Sequence, residues 1–459
     1  MISSRAYRRA TGVSSVATPS LAQLASMWVD PVGSLTNWAR RHGDVFALRL
    51  PAVGRLIVVG DPTAAHDVIR SDPSSSAAGS ATGRLLPLLG EGCVLRKDGD
   101  NHRERRRTLN PLFHGDDLDR HRAAIADVTR RELATWADGS MPLLPRFSSI
   151  SFAIICEVVL GLTDEGDIDR LHRLIIRATG PAALAGTWLW PLGPGRLRER
   201  AMHTVRQHQQ AVDVAIVELL AQHAESGADH NDVASVLLDS ADSDCTGSDC
   251  TGSDSRTPDK GLLQELRALL LVGHETTAAA LAWAVERLVR EPAVLARLEE
   301  SLAAGDQSYL EAFIREVLRW RPPVIDTVRE LTAPMELAGH LLETGTLVVV
   351  APLLVHHHPD LYSSPAEFLP ERFVGASAPH PKTWIPFGGG ARRCLGAELA
   401  LVELEVVLTE LITTFSLEST TARGERTRLV GTVLVPARGA TVVLSRRAAA
   451  LGVGTADES

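Results

Sequence analysis

The chain has 459 residues, 45% of them hydrophobic and 22% charged, with a formal net charge of −9. That is enough apolar material for a large packed core, and the acidic balance argues against nucleic acid as a partner. Five cysteines, an odd and low number for this length, exclude a disulfide framework and fit a reducing, cytoplasmic compartment.

Residues 1–19 are polar and Ser-rich and read as a flexible tail, with the features of neither a signal peptide nor a membrane anchor. No later window reaches about 18 uninterrupted apolar residues, so no transmembrane helix is expected. Leu21 to His42 reads as a helix broken at Asp30-Pro31. Val45–Leu50 and Arg55–Val59 read as two strands around a Pro/Gly turn. Asp61-Pro62 opens a helix to about Ile69, with Asp as cap and Pro in the first turn. Residues 72–84 read as irregular, and 85–95 as a loop broken by Pro87, Gly90 and Gly92.

Helices dominate from His102 to about Leu238, with breaks near Asn110-Pro111, Asp138-Gly139, 164–167 and 186–195. The last break carries the apolar run Trp188-Leu-Trp-Pro-Leu192, which is either core packing or a lid. Residues 239–259 are low-complexity: Ser243-Asp-Cys-Thr-Gly recurs at Ser248, and the spacing of Cys245 and Cys250 is no zinc pattern. This reads as an inserted, disordered loop. Leu262 to Arg290 is a long helix, apolar on nearly every face around residues 268–272, and belongs at the centre of the molecule. Helices at 292–302 and 307–319, short strands within 333–351 and an irregular Pro/His-rich stretch over 356–386 follow. A helix to about Phe415 and short strands to Ser445 complete the pattern. Residues 20–446 are expected to form a single domain, mainly α with a small β-rich lobe, and 447–459 a C-terminal tail.

Chemistry concentrates at Phe387-Gly-Gly-Gly-Ala-Arg-Arg-Cys394-Leu-Gly396. A helix begins at or just after Cys394, so its dipole together with Arg392 and Arg393 should favour the thiolate. Gly388, Gly389 and Gly390 would let the backbone approach something large and flat. A lone thiolate presented in this way suits an axial ligand to haem iron; the other reading is a buried structural cysteine. On the long helix, Gly273-His-Glu-Thr276-Thr277 places Glu275 beside Thr276. Such a pair can relay protons; equally, Thr can bond back to its own helix and Glu can pair with a distant arginine. Gly273 would leave room for a small ligand or a widened turn. Glu316 and Arg319 stand three apart on one helix face. His356-His-His358 invites a metal assignment, but its irregular setting lacks a carboxylate geometry and disfavours it.

The spacing of Phe387, Gly390, Arg392, Cys394 and Gly396 resembles the haem-binding loop of the cytochrome P450 family. Gly273–Thr277 resembles that family's oxygen-activating motif, with Val272 departing from it at the first position. Glu316, Arg319 and the downstream Arg372 resemble its Glu-x-x-Arg pair and distant arginine. His102 and Arg106 match its His-x-x-x-Arg. The resemblance implies the cytochrome P450 fold, with haem b between the central helix and the helix after Cys394, the axial ligand. It implies haem propionates held by His102, Arg106, Arg392 and Arg329, and a structural network of Glu316, Arg319 and Arg372. It also implies a monooxygenase that takes O2 and, with Glu275 and Thr276 delivering protons, inserts one oxygen atom into its substrate. Electrons would come from NAD(P)H through a separate, acidic ferredoxin-type donor, steered by solvent-facing Arg103, Arg105 and Arg107. The aliphatic stretches where the family holds its substrates imply an apolar small molecule, such as a terpenoid or another secondary metabolite, with macrolides and fatty acids as rivals; Glu91 and Asp326 are the charged exceptions. The alternatives are an atypical outcome (desaturation, coupling or peroxide use) and a non-catalytic haem carrier or sensor.

Overall fold

The computed structural model describes residues 12–448 apart from 52, 87–88, 116, 180–194, 226–231, 245–257 and 376–377. The apolar run Trp188–Leu192 and most of the tandem repeat lie outside the described residues.

The described chain begins with β1 (Ser14–Ser15), which pairs in parallel with β2 (Val45–Leu50). Val13 and Val16 beside it are buried. Residues 12–19 are therefore anchored, contrary to the flexible tail expected as far as residue 19, because two buried valines outweigh the polar composition. Helices α1 (Ser20–Val29) and α2 (Pro31–His42) meet at Asp30. Its carboxylate accepts from the Gly33 amide while Pro31 fills the first turn, a local signal that the sequence displays in full. Strand β3 (Gly54–Val59) runs antiparallel to β2, and Asp61 caps α3 (Pro62–Arg70).

The Ser/Ala/Gly stretch expected to be irregular forms β4 (Ser76–Ala77) and α4 (Ala78–Leu85). Asp98 is the cause: its carboxylate accepts from the amides of Ala78, Gly79 and Ser80, the start of α4, at 2.8–3.0 Å. No local pattern in residues 72–84 announces a cap about 20 positions downstream.

The helical region comprises α5 (Gly99–Leu109), α6 (Asp117–Ala134), α7 (Leu144–Leu160), α8 (Glu165–Thr179), α9 (Gly195–Glu225) and α10 (Val233–Asp244). Strand β5 (Gly139–Pro142) intervenes, pairing with a strand near the C-terminus. Helix α10 runs to Asp244, so the insertion expected over 239–259 is helical in its first part, and Asp259 caps the next helix through the Leu262 amide. That helix is α11 (Lys260–Leu288). Leu266, Leu270, Leu281 and Trp283 on it are fully buried, and it packs against α7. Among the described residues it is the one single helix long and apolar enough to cross a membrane, yet 72% of its apolar window is buried inside the protein.

After α12 (Pro292–Ala303) and α13 (Ser308–Trp320) come β6 (Thr327–Leu331), β7 (Met335–Leu337), β8 (His340–Leu342), β9 (Leu347–Val350) and α14 (Pro352–His356). The chain ends in α15 (Ala397–Thr414), β10 (Phe415–Ser419), β11 (Thr427–Val430), β12 (Val433–Pro436) and β13 (Thr441–Arg446). The largest sheet has the order β1-β2-β3-β9-β6-β4; β10-β13-β5, β11-β12 and β7-β8 form smaller ones. Arg447, placed in a tail by the sequence, donates to the carbonyls of Ile412 and Phe415 and pairs with Glu299, so the described chain stays attached beyond β13.

Candidate active site

The Cys394 loop is closed by its own backbone. The Cys394 amide donates to the Phe387 carbonyl at 2.9 Å, and Gly388 and Gly390 adopt left-handed φ of 66° and 61°. Two of the three glycines are also closely approached by a protein neighbour. A Cβ on Gly389 would lie 2.8 Å from Ile69 Cγ2, and one on Gly390 2.8 Å from the Ile69 carbonyl oxygen. The end of α3 thus presses on this loop. Gly396, the residue capping α15, behaves differently: a Cβ there would meet no protein atom within 4 Å. The Phe387 ring packs edge-on to Trp384, with centroids 5.9 Å apart.

The expectation that helix and arginines alone would hold Cys394 as thiolate needs correction. Burial pushes its thiol up from the usual range, opposed by the Gly396 amide and by the charges of Arg106 and Arg393. The helix starts only at Ala397, so its dipole acts from a distance. Its surface is nonetheless accessible, unlike buried Cys93 and Cys156. A metal that displaces the proton would settle the thiolate form.

Four cationic or ionisable groups converge beside the loop. His102 is buried on α5, and its imidazole is pushed down to about 4 by burial first, then by Arg392 and Arg106, with Asp98 opposing and Arg329 adding to the shift. Arg329 on β6 is lowered to about 10, chiefly by burial and then by Arg392. Arg392 pairs with Asp98 and donates to the Lys97 carbonyl. The Arg329 Nη2 is buried with no hydrogen-bond partner among the described residues. Three guanidinium groups and an imidazole around one carboxylate leave uncompensated positive charge, and such a cluster is costly until anions join it. The residues present therefore fit a flat ligand that carries two carboxylates and meets a thiolate.

Asp98 is the member that the sequence does not assign. As an Asp-Gly pair before α5 it looks like that helix's cap, yet it makes no side-chain capping bond there and instead joins α4 to Arg392. Arg105, expected to face solvent, pairs with fully buried Glu265 at 2.9 Å, and that carboxylate also accepts from the Val94 amide. Of the other two, Arg107 is exposed and Arg103 is exposed and paired with Asp100.

On α11, Thr276 Oγ1 donates to the Val272 carbonyl at 3.1 Å, the back-bonded arrangement. Val272, 39% exposed, opens on the same side one turn earlier. Glu275 has no ion-pair partner among the described residues, and burial pushes its carboxyl up to about 7. A carboxyl in that range can give and take a proton near neutral pH. Gly273 does not open space for a ligand: a Cβ there would lie 2.7 Å from Ile155 Cγ1, so the glycine lets α7 and α11 approach.

The structure brings Glu316, Arg319 and Arg372 together. Arg319 and Glu316 are both fully buried and bond through two contacts of 2.6 and 2.8 Å. Arg372 Nε reaches Glu316 at 3.2 Å. Arg319 also donates to the carbonyls of His356, Pro365 and Glu367. The triple histidine divides its work: the His356 Nε2 accepts from the Ile385 amide, the His357 Nδ1 lies 2.9 Å from the Leu353 carbonyl, and His358 lies near Asp44. A continuous chain of bonds thus runs from α13 through His356 to the segment entering the Cys394 loop.

A largely helical fold with, among the described residues, one accessible thiol beside a cationic cluster fits a class, the haem-thiolate proteins. The model of the Cytochrome P450 family matches residues 20–443. Cytochrome P450 135B1 of Mycobacterium tuberculosis is 37% identical over 423 residues, 89% of this chain and 86% of that protein. Cytochrome P450 138 of Mycobacterium bovis is 36% identical over 94% of this chain and 95% of its own length. Among solved structures, the cyanobacterial CYP120A1 with bound retinoic acid has a TM-score of 0.76 at 22% identity, covering 90% of this chain and 94% of its own. The haem domain of cytochrome P450DA has a TM-score of 0.79 at 19% identity, covering 95% and 98%. The chain belongs to the cytochrome P450 family. It has that fold, it is a haem-thiolate monooxygenase that uses haem b, and its electrons derive from NAD(P)H by way of redox partners.

Proposed function

We propose that this monooxygenase hydroxylates a C–H bond of a largely apolar small molecule of secondary metabolism, a terpenoid being one such class, in the cytoplasm and with a ferredoxin-type electron donor. Aliphatic lining carries this reading: Leu85, Leu89, Ile325 and Val433 border the regions where the family holds substrate, and a cavity that Leu85 and Ile325 line is walled almost wholly by apolar side chains. In this reading Cys394 is the axial ligand, and His102, Arg106, Arg329 and Arg392 hold the two propionates. Phe387 and Gly396 shape the loop against the macrocycle. When bound, haem b supplies the activation of O2. The protein's own task is to hold apolar substrate and exclude water on one side while Glu275 accepts protons from solvent and passes them toward Thr276. For that, the Thr276 hydroxyl leaves its bond to Val272 and rotates to the open side. Glu316, Arg319 and Arg372 support the Cys394 loop without touching the chemistry.

The decisive measurement is the spectrum of the reduced CO complex. The wild-type enzyme is expected to show the thiolate signature and Cys394→Ala to lose it. A variant that keeps the signature would refute the ligand assignment.

A further inference from the structure

We infer that Asp326 makes the apolar cavity beside β6 a receptor for the positively charged end of a lipophilic amine, so that the substrate is a cation as well as largely apolar. This rests on the reading of an apolar substrate given above and names its charge.

The cavity lies between α1, β2, β3 and the turn joining β11 to β12. Trp28, Leu48, Leu56, Ile325 and Leu429 are among its walls, and Asp326 is the one charged side chain among its described lining residues. Trp28 lines it and is 39% exposed. Asp326 stands three positions before Arg329, on the segment that runs from this cavity to the cationic cluster. Val324 forms a bridge to Val433, which fastens that segment to the β11–β12 turn.

A carboxylate among aliphatic walls is costly without a counter-charge. Burial pushes the Asp326 carboxyl up to about 6, opposed by its own backbone amide and by no neighbouring charge among the described residues. At neutral pH the group is still mostly ionised and lacks a cationic partner among the cavity's described residues. A ligand ammonium would supply one. A fatty-acid carboxylate entering head-first would meet repulsion and no basic group among those residues. The cavity thus distinguishes amine from acid, which aliphatic composition by itself cannot do.

The test uses haem-loaded full-length enzyme and three probes of one chain length: decyltrimethylammonium, decanol and decanoate. The quaternary nitrogen has no lone pair and cannot ligate iron. Calorimetric titration at pH 7.5 is expected to rank the cation about tenfold tighter than the alcohol, and decanoate weakest. Asp326→Asn should remove the advantage of the cation while leaving decanol affinity within about twofold, and Asp326→Glu should keep it. Equal affinity for cation and alcohol in the wild type, or an unchanged preference in Asp326→Asn, overturns the proposal. Should the Asn variant not fold, the wild-type ranking decides alone. The reduced CO spectrum of the same preparation tests the monooxygenase chemistry separately, and apolar selectivity is read from decanol against glycerol, so the failure of either reading is distinguishable from the failure of the cation site.

Discussion

Glu275 and Thr276 stand side by side on a helix that is otherwise among the most apolar in the chain, and their environment sets what each can do. Burial keeps the Glu275 carboxyl near neutral pH for proton exchange, while Thr276 is held by the Val272 carbonyl until something competes for its hydroxyl. If Thr276 positions protons, Thr276→Ala should release more hydrogen peroxide per NADPH consumed, by about tenfold relative to product (roughly 1.4 kcal/mol of lost discrimination). Unchanged coupling would remove the hydroxyl from the mechanism. A second buried carboxyl, Glu403 on α15, is pushed up to about 8 by burial, with only the hydrogen bond from Ser151 pulling the other way. Its folded value lies above the unfolded one, so the folded state holds the extra proton between them. The associated stability is complete below about pH 4.5 and is lost as pH rises to about 8, by at most about 1.4 kcal/mol per pH unit. Urea midpoints measured from pH 5 to 9 should fall in wild type relative to Glu403→Gln across that window and then run parallel.

At the scale of elements, close approach explains several residues that local pattern leaves ambiguous. Gly273 permits α7 and α11 to meet through Ile155, and Gly389 and Gly390 permit α3 to meet the Cys394 loop through Ile69. Gly273→Ala should therefore destabilise the fold by about 1–3 kcal/mol through overpacking. Ile155→Ala removes both atoms closest to the new methyl, so the double variant should cost less than the sum of the singles. Strict additivity in thermal or urea unfolding would show that the glycine is there for another reason. The pair Arg105–Glu265 ties α5 to α11 in the same way, and this is why Arg105 is withdrawn from the surface where a run of arginines suggests it should lie.

For the molecule as a whole, the largest sheet packs against α1 to α4 while α11 packs against α7, α15 and β12, and His102, Arg329 and Arg392 reach one site from α5, β6 and the Cys394 loop. Residues 243–256 begin with the last two residues of α10 and continue toward the Asp259 cap of α11. Deleting them should leave haem content per protein unchanged, because both flanking helices have their own packed faces: Val233, Ala234 and Leu237 on one, and Leu262 and Leu266 on the other. Loss of haem on deletion would make the repeat part of the support.

Sequence by itself determined what short-range physics encodes. The caps at Asp30-Pro31 and Asp61-Pro62, the all-round apolar helix of α11 and the spacing within Phe387–Gly396 are fixed by neighbours three or four positions away. The family resemblance was legible because such motifs occur in a set order along the chain. Tertiary structure alone decided partners that lie far apart. Asp98 serves α4 and Arg392, and Arg105 meets Glu265 across 160 residues. Asp326 lines an apolar cavity whose other walls come from the N-terminal helices, the largest sheet and the β11–β12 turn. A carboxylate shows its charge in the sequence, but its burial and its counter-charge are properties of the packed chain, and those decide whether it caps a helix, anchors an arginine or awaits a ligand.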